Sequence, residues 1–222
     1  MLLMSLHESF AVEEACELRI WGRINSINVQ KVLWCCGELG IPYERIDVGG
    51  PFGGNREPWY LRLNPNGLVP TISDGGFVLW ESNTIVRYLA AKHGMGMLCP
   101  EDLAHRADAD RWMDWQLGSL WANLRPAFIA LVRTPPENRD PAQIASSIEK
   151  TSGTWAMLDA HLAARDYVTG PAFTMADIPL GVTAYRWFSL NIARPPMPNL
   201  EAWYERLCAR SFYRANVMLP LS

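Results

Sequence analysis

The sequence has no surplus of positive charge, no paired-cysteine motif and no long apolar run. Each absence closes off a class of function. Its 222 residues set 20 Lys and Arg against 23 Asp and Glu, a formal net charge of −3 with a pI near 5.8. Neutralising phosphates needs a basic surface, so neither nucleic acid nor an anionic membrane is an expected partner. Five cysteines are scattered with no C-x-x-C pair and no Cys/His cluster at zinc spacing, so no metal site is expected. Unclustered thiols in odd number fit a reducing compartment, and the cytoplasm is the expected location. No apolar stretch approaches the roughly 20 residues of a membrane span. Residues 1–17 follow Met1, Leu2, Leu3 and Met4 with His7, Glu8, Glu13, Glu14 and Glu17. Without a basic start or a longer apolar run they read as an acidic N-terminal extension, not a secretory signal. Repeats and low-complexity tracts are also missing.

What is present is core-forming material. Hydrophobic residues make up 49% of the chain, charged residues 19%, and there are ten tryptophans; disordered and collagen-like chains are thereby excluded. At roughly 100–200 residues per domain, the length suits two modest domains. The patterning divides accordingly into an N-terminal extension (1–17), a mixed α/β domain (18–95), a linker (96–102) and an all-helical domain (103–222).

In the first domain Leu18–Trp21 reads as a strand. Val29, Val32, Leu33 and Cys36 repeat at helical spacing until Gly40 and Pro42. Tyr43–Val48 reads as a second strand, completing a β-α-β unit. After the Gly/Pro-rich loop at 49–54, Val69–Ile72 and Phe77–Trp80 flank Asp74-Gly75-Gly76, a hairpin signal. Ser82 then opens a helix ending at His93-Gly94. In the second domain Met113, Leu117, Leu120, Leu124, Phe128 and Leu131 form one helical stripe, with a kink or break expected at Pro126. Asp140-Pro141 starts a helix carrying Ile144, Ile148, Thr151, Trp155, Leu158 and Leu162. Thr174-Met175-Ala176-Asp177 has the form of a capping box, and Pro198 starts a last helix.

Three short segments could carry chemistry. Asn25 to Val32 lies where the first strand passes into the first helix, and Ser26 or Asn28 could donate to an anion held at the helix N-terminus. The plainer role of either side chain is to cap that helix. Val69-Pro70 precedes a strand. A cis bond there would leave the Val69 backbone free to pair with an extended peptide, whereas a trans proline would make it an ordinary edge. Glu81-Ser82 begins the next helix, where a carboxylate and a hydroxyl suit the two charges of an α-amino acid; a simple Ser cap is the alternative.

Taken in order, Asn25-Ser26-Ile27-Asn28-Val29-Gln30-Lys31-Val32, Asn64-Pro65-Asn66-Gly67-Leu68-Val69-Pro70-Thr71 and Glu81-Ser82-Asn83-Thr84-Ile85-Val86-Arg87-Tyr88-Leu89 resemble the glutathione-binding domain of the cytosolic glutathione transferases. The likeness is to bacterial theta- and nu-like members and extends through the helical half to about Phe212. It implies a thioredoxin-like βαβ-ββα domain followed by an all-α domain, and a homodimer. It also implies glutathione as co-substrate, with no permanently bound cofactor. By motif position Ser26 or Asn28 would activate the glutathione sulfur. Leu68, Val69, Pro70, Glu81 and Ser82 would line the glutathione site, with the Val69 backbone meeting the cysteinyl part, Pro70 cis, and Glu81 and Ser82 at the γ-glutamyl end. Leu68 stands where many members carry Lys or Arg, leaving Arg62, Arg56 or Lys31 to meet the glycyl carboxylate. No Cys occupies the Ser26 position and no Tyr the end of the first strand, so Cys35 and Cys36 read as core thiols.

The implied reaction joins the glutathione thiolate to a small apolar electrophile. Arg111, Trp112, Trp115 and Trp121 could line its pocket; Arg111 and Trp115 are the better candidates, and for Trp112 and Trp121 the core or a dimer interface is at least as good a place. Asp110 or Asp114 could reach a neighbouring subunit's glutathione. Two alternatives remain: glutathione-dependent disulfide or peroxide reduction, if Asn28 meets the sulfur, and a non-catalytic ligand-binding protein.

Overall fold

The computed structural model describes residues 17–222, so nearly all of the acidic extension lies outside the described residues. Strand β1 (Leu18–Trp21) buries Leu18 and Ile20 and exposes Arg19, the period-2 alternation of a half-buried strand. Helix α1 (Ile27–Leu39) buries Val29, Val32, Leu33, Trp34, Cys35 and Cys36. It stops where Gly40 turns left-handed (φ 64°) and returns its N–H to the Cys36 and Gly37 carbonyls. Strand β2 (Glu44–Ile46) is shorter than the expected Tyr43–Val48. Beyond Ile46 the chain leaves the ladder, and Val48 C=O instead accepts from Arg23 N–H in the loop after β1 (3.1 Å).

Strand β3 (Thr71–Asp74) starts two residues later than expected because Val69-Pro70 is a cis turn. β3 and β4 (Phe77–Trp80) form the expected hairpin, closed by Gly75 and Gly76 at φ 55° and 90°. Two successive positive φ values match the right-handed twist of the strands and favour glycine. The sheet order is β2-β1-β3-β4, parallel between β1 and β2 and antiparallel elsewhere. A short α2 (Pro58–Leu63) lies between β2 and β3, where sequence periodicity gives no helix, and α3 (Ser82–His93) follows β4.

The second part is helical: α4 (Leu103–Trp115), α5 (Trp121–Val132), α6 (Pro141–Leu162), α7 (Asp177–Ser189), α8 (Pro198–Cys208) and α9 (Ser211–Asn216). A π turn over Gln116–Leu120 joins α4 to α5. It rotates the register of the expected stripe, so Gln116 is fully buried and Leu117 is 47% exposed. One extra residue in a turn moves the inward-facing position by one, and periodicity alone does not reveal it. The helix runs through Pro126, but its ladder is opened there. Ser147 of α6 accepts from Ala127 N–H (3.1 Å) and donates to Asn123 C=O, an i, i−4 pair. A side chain inserted at a proline is a recognised cause of helix bending.

Asp177 occupies the expected capping position, yet its carboxylate does more than cap. It accepts from Thr174 N–H (3.0 Å), Val168 N–H (3.0 Å) and Trp203 Nε1 (2.8 Å). The Thr174 hydroxyl bonds Thr169, so the box is closed from the acidic side. The two parts meet on α1. Trp34 packs edge-on to Tyr213 (4.7 Å) and lies against Gly181 of α7, where a Cβ would come within 2.9 Å of its ring. This contact holds α1, and so its N-terminus, against the helical part.

Candidate active site

One row of residues runs across the whole sheet: Ile46, Trp21, Thr71 and Trp80 are successive partners from β2 to β4. The three candidate segments all border that row. Gly22 to Ser26 leaves β1, Val69-Pro70 enters β3, and Glu81-Ser82 leaves β4. Gly22 (φ 156°) makes the junction tight. A Cβ there would stand 2.4 Å from Val29 Cγ2 and 3.3 Å from Val69 Cβ, so the loop after β1, α1 and the cis turn touch only because that residue is glycine.

Ser26 immediately precedes α1 in extended conformation (φ −76°, ψ 126°) and is 8% exposed. Its carbonyl accepts the first helical bond, from Gln30 N–H at 2.9 Å, but its hydroxyl makes no cap hydrogen bond. The capping role is therefore unfilled, and the hydroxyl is available to a ligand at the positive end of the helix dipole. Asn28 is half-buried in the first turn. Val69 is half-buried and its peptide bond to Pro70 is cis. The neighbouring Leu68 carbonyl is pinned inward by Tyr60 Oη (2.6 Å) and Asn64 Nδ2 (2.9 Å), while the Leu68 side chain is 60% exposed.

Glu81 is, among the described residues, the one non-glycine with positive φ (72°). Such a backbone costs about 1–3 kcal/mol and persists where the surroundings hold it. Ser82 is buried, and its Oγ accepts from Lys31 Nζ at 3.4 Å. Lys31 also donates to Asn83 Oδ1 (3.0 Å) and Gln116 Oε1 (3.1 Å), and Gln116 passes its amide to Thr183 (2.9 Å). Burial, together with the Arg186 charge, lowers the Lys31 ammonium to about 7. Lys31 is thus removed from the surface and does not serve as an exposed anchor for a glycyl carboxylate. Arg56 is exposed, packs on Gly67 and donates to Asn66 C=O (3.2 Å). Arg62 is exposed in the last turn of α2.

Cys35 and Cys36 are fully buried, and burial pushes the Cys35 thiol well above its usual value. A protonated, enclosed thiol is a poor nucleophile. Asp110 and Asp114 both pair with Arg87 of α3, at 2.6 and 2.5 Å. Arg111 is exposed, pairs with Asp108 (2.6 Å) and lies over Trp112. Trp112 in turn packs on Trp115 (5.1 Å) and His161 of α6 (4.6 Å). Arg111 and Trp115 thus both meet Trp112 of their own helix, and no hydrogen bond, ion pair or ring contact joins either to Ser26 or Val69. Trp121 packs on Phe128 at 5.7 Å.

What the sequence reading misses lies beside Ser26 instead. Asn25 is met by Arg23 (2.6 Å to Oδ1), by Arg186 of α7 (3.4 Å to its carbonyl) and by Ser222 Oγ (2.5 Å). Arg133, following α5, donates to the Ser222 main-chain oxygen at 2.8 Å. These residues are up to 197 positions apart, so no local spacing announces them. No group of three His, Cys, Asp or Glu suited to a metal ion exists among the described residues, and none of their helices is long and apolar enough to cross a membrane.

Residues 25–92 match the family model described as the glutathione S-transferase N-terminal domain, and residues 141–206 the corresponding C-terminal domain. The chain is 44% identical over 207 residues to the glutathione S-transferase GstB of Escherichia coli (strain K12), covering 92% of this chain and 100% of that protein. It is 30% identical to glutathione S-transferase 3 of Zea mays, covering 92% of this chain and 95% of that one. In structure it is similar to a theta class glutathione S-transferase from Xanthomonas axonopodis pv. citri with glutathione bound. The TM-score is 0.90 at 49% identity, over 94% of this chain and 100% of that one.

Proposed function

The chain belongs to the glutathione S-transferase family, and we propose that it joins the thiolate of glutathione to a small electrophile at the sheet edge bordered by Ser26, Val69 and Glu81. The observation that carries this is Ser26: a buried hydroxyl at the start of α1 that caps nothing in the fold.

In this reading glutathione lies along the row. Its cysteinyl backbone pairs with Val69 as an added strand would, which the cis turn permits. Its γ-glutamyl end meets the first turn of α3, where N–H groups take the carboxylate and the Glu81 side chain takes the ammonium. The sulfur then falls at the N-terminus of α1. A free thiol has a pKa near 8.5 and is mostly protonated at neutral pH; a hydroxyl donor and a helix N-terminus lower that value. The thiol proton leaves to water, the thiolate attacks the electrophilic carbon, and the leaving group departs with the bonding pair. Activation is electrostatic, and no side chain needs to act as base. Asn28, one step into the same turn, is the second donor in reach of the position.

Glutathione serves as co-substrate, the assembly is a homodimer and the location is the cytoplasm. Support for these three comes from the family. Retention of the protein on immobilised glutathione, followed by a panel assay of glutathione with aryl halides, peroxides and mixed disulfides, tests the reading. Failure to bind glutathione would overturn it. Turnover confined to disulfides or peroxides would replace conjugation with reduction.

A further inference from the structure

Lys31 is a buried ammonium group with three hydrogen-bond acceptors and no acid paired to it. Its Nζ donates to Ser82 Oγ (3.4 Å), Asn83 Oδ1 (3.0 Å) and Gln116 Oε1 (3.1 Å), which uses all three of its protons. No ion pair among the described residues includes it. Burial, and after it the Arg186 charge on α7, disfavours the ammonium; Glu81 favours it and Arg87 of α3 opposes it again. Arg87 is answered by Asp110 and Asp114. Arg186 donates to the carbonyls of Val182 and Asn25 and to Gln30 Oε1. An enclosed charge that is hydrogen-bonded but not neutralised is costly, and an anion brought near it relieves that cost.

The three acceptors are not equally free to turn. Asn83 Nδ2 donates to Met113 C=O (2.8 Å), and Gln116 Nε2 to Thr183 Oγ1 (2.9 Å), which itself donates to Pro179 C=O (2.8 Å). Both amides are thereby fixed with their oxygens toward Lys31. Of the three, the Ser82 hydroxyl alone can change direction. It lies in the first turn of α3 and is 6% exposed. Under an ammonium group it accepts from beneath, so its own proton points away, and no acceptor for that proton exists among the described residues. A neutral amine has a lone pair and one donor fewer, so the hydroxyl then turns inward and donates to Nζ.

Resting on the glutathione reading above, we infer that Lys31 is the positioning residue for the γ-glutamyl carboxylate: as an ammonium it commits the Ser82 hydroxyl to donate outward to that carboxylate at the first turn of α3. Ligand and proton then bind together. The carboxylate accepts from Ser82 and stands one hydroxyl away from Nζ, where its charge favours the ammonium. The free lysine titrates at about 7; with the carboxylate in place it keeps its proton to higher pH, and binding above pH 7 takes that proton from solvent. Affinity is therefore full below pH 7 and falls as pH rises above it.

S-methylglutathione is the probe, because it has no thiol to titrate. Its analogue with 4-aminobutanoyl in place of the γ-glutamyl group lacks only the α-carboxylate. Titration calorimetry in buffers of different ionisation enthalpy reads the protons taken up. The wild type is expected to take up about half a proton per S-methylglutathione at pH 7, and to bind it about 10-fold more weakly at pH 8 than at pH 6. The analogue binds without uptake. Lys31→Met, checked for folding by circular dichroism, abolishes the uptake and weakens S-methylglutathione about 10-fold at pH 6, while the analogue changes by less than about twofold. Lys31→Arg stays charged at every pH used, so it keeps the affinity and loses the pH dependence. Equal losses for both ligands in Lys31→Met would mean a structural lysine and would overturn the inference. Wild-type binding of S-methylglutathione without proton uptake, or equal uptake with the analogue, would overturn it with no variant needed. Those results leave the glutathione reading standing, whereas no binding of S-methylglutathione at any pH would overturn that reading and this inference with it.

Discussion

Lys31, enclosed within α1, donates to Ser82 Oγ across 3.4 Å and so ties the helix that begins after Ser26 to the helix that begins after Glu81. The same ammonium group meets Asn83 and Gln116, so two N-termini facing the proposed glutathione site share one buried cation. Its charge is costly there: burial takes it from 10.5 to about 7.

That depression gives a signed prediction. Between about pH 7 and pH 10 the unfolded Lys31 holds its proton and the folded one releases it, so folding opposes protonation and stability rises with pH. Lys31→Met removes this dependence. The stability difference between wild type and variant, from urea midpoints, shifts in favour of the wild type as pH rises through that window. A difference that stays constant would show that Lys31 is charged throughout.

The sulfur contact is assigned by single substitutions. Ser26→Ala is expected to raise the thiol pKa of bound glutathione, read from thiolate absorbance against pH, and to lower kcat by about 100-fold. Asn28→Ala should change it less. The reverse order would move the sulfur to Asn28.

Cys35→Ala with Cys36→Ala should leave turnover within about twofold while costing on the order of 1 kcal/mol each in stability, from lost packing. Both thiols are fully buried. A folded but inactive double variant, checked by circular dichroism, would place the chemistry elsewhere.

Asp177→Asn is expected to destabilise the protein by about 2–4 kcal/mol, because an amide cannot accept from all three donors at that position. Burial lifts the carboxyl from 3.8 to about 6. Between those values the folded state binds the extra proton, so this contribution is fullest below about pH 4 and is lost as pH rises through 6. Thermal melts of both proteins at several pH values read the difference, while activity per folded molecule stays near the wild type.

Much of the fold was legible where the signal is local. Gly75-Gly76 closes a hairpin, Gly40 ends α1 and Asp140 caps α6, because each acts on residues within a few positions. The motifs around Ser26, Val69-Pro70 and Glu81-Ser82 were legible for the same reason. Leu117 misled, because a π turn shifts the register without altering the composition. Arg111 and Trp115 were legible only as neighbours on one helix, and in the fold each meets Trp112.

The sequence by itself determined the α/β-then-α order, the glutathione motifs and the family to which they point. Turn residues, caps and periodicity are short-range properties of a chain. Only the tertiary structure decided that Lys31 lies beneath Ser82, that Arg23 and Arg186 meet Asn25, and that Arg133 holds Ser222. Those groups stand far apart along the chain, and their charges interact only after the packing of Trp34 on Gly181 and Tyr213 has brought the helical part against α1.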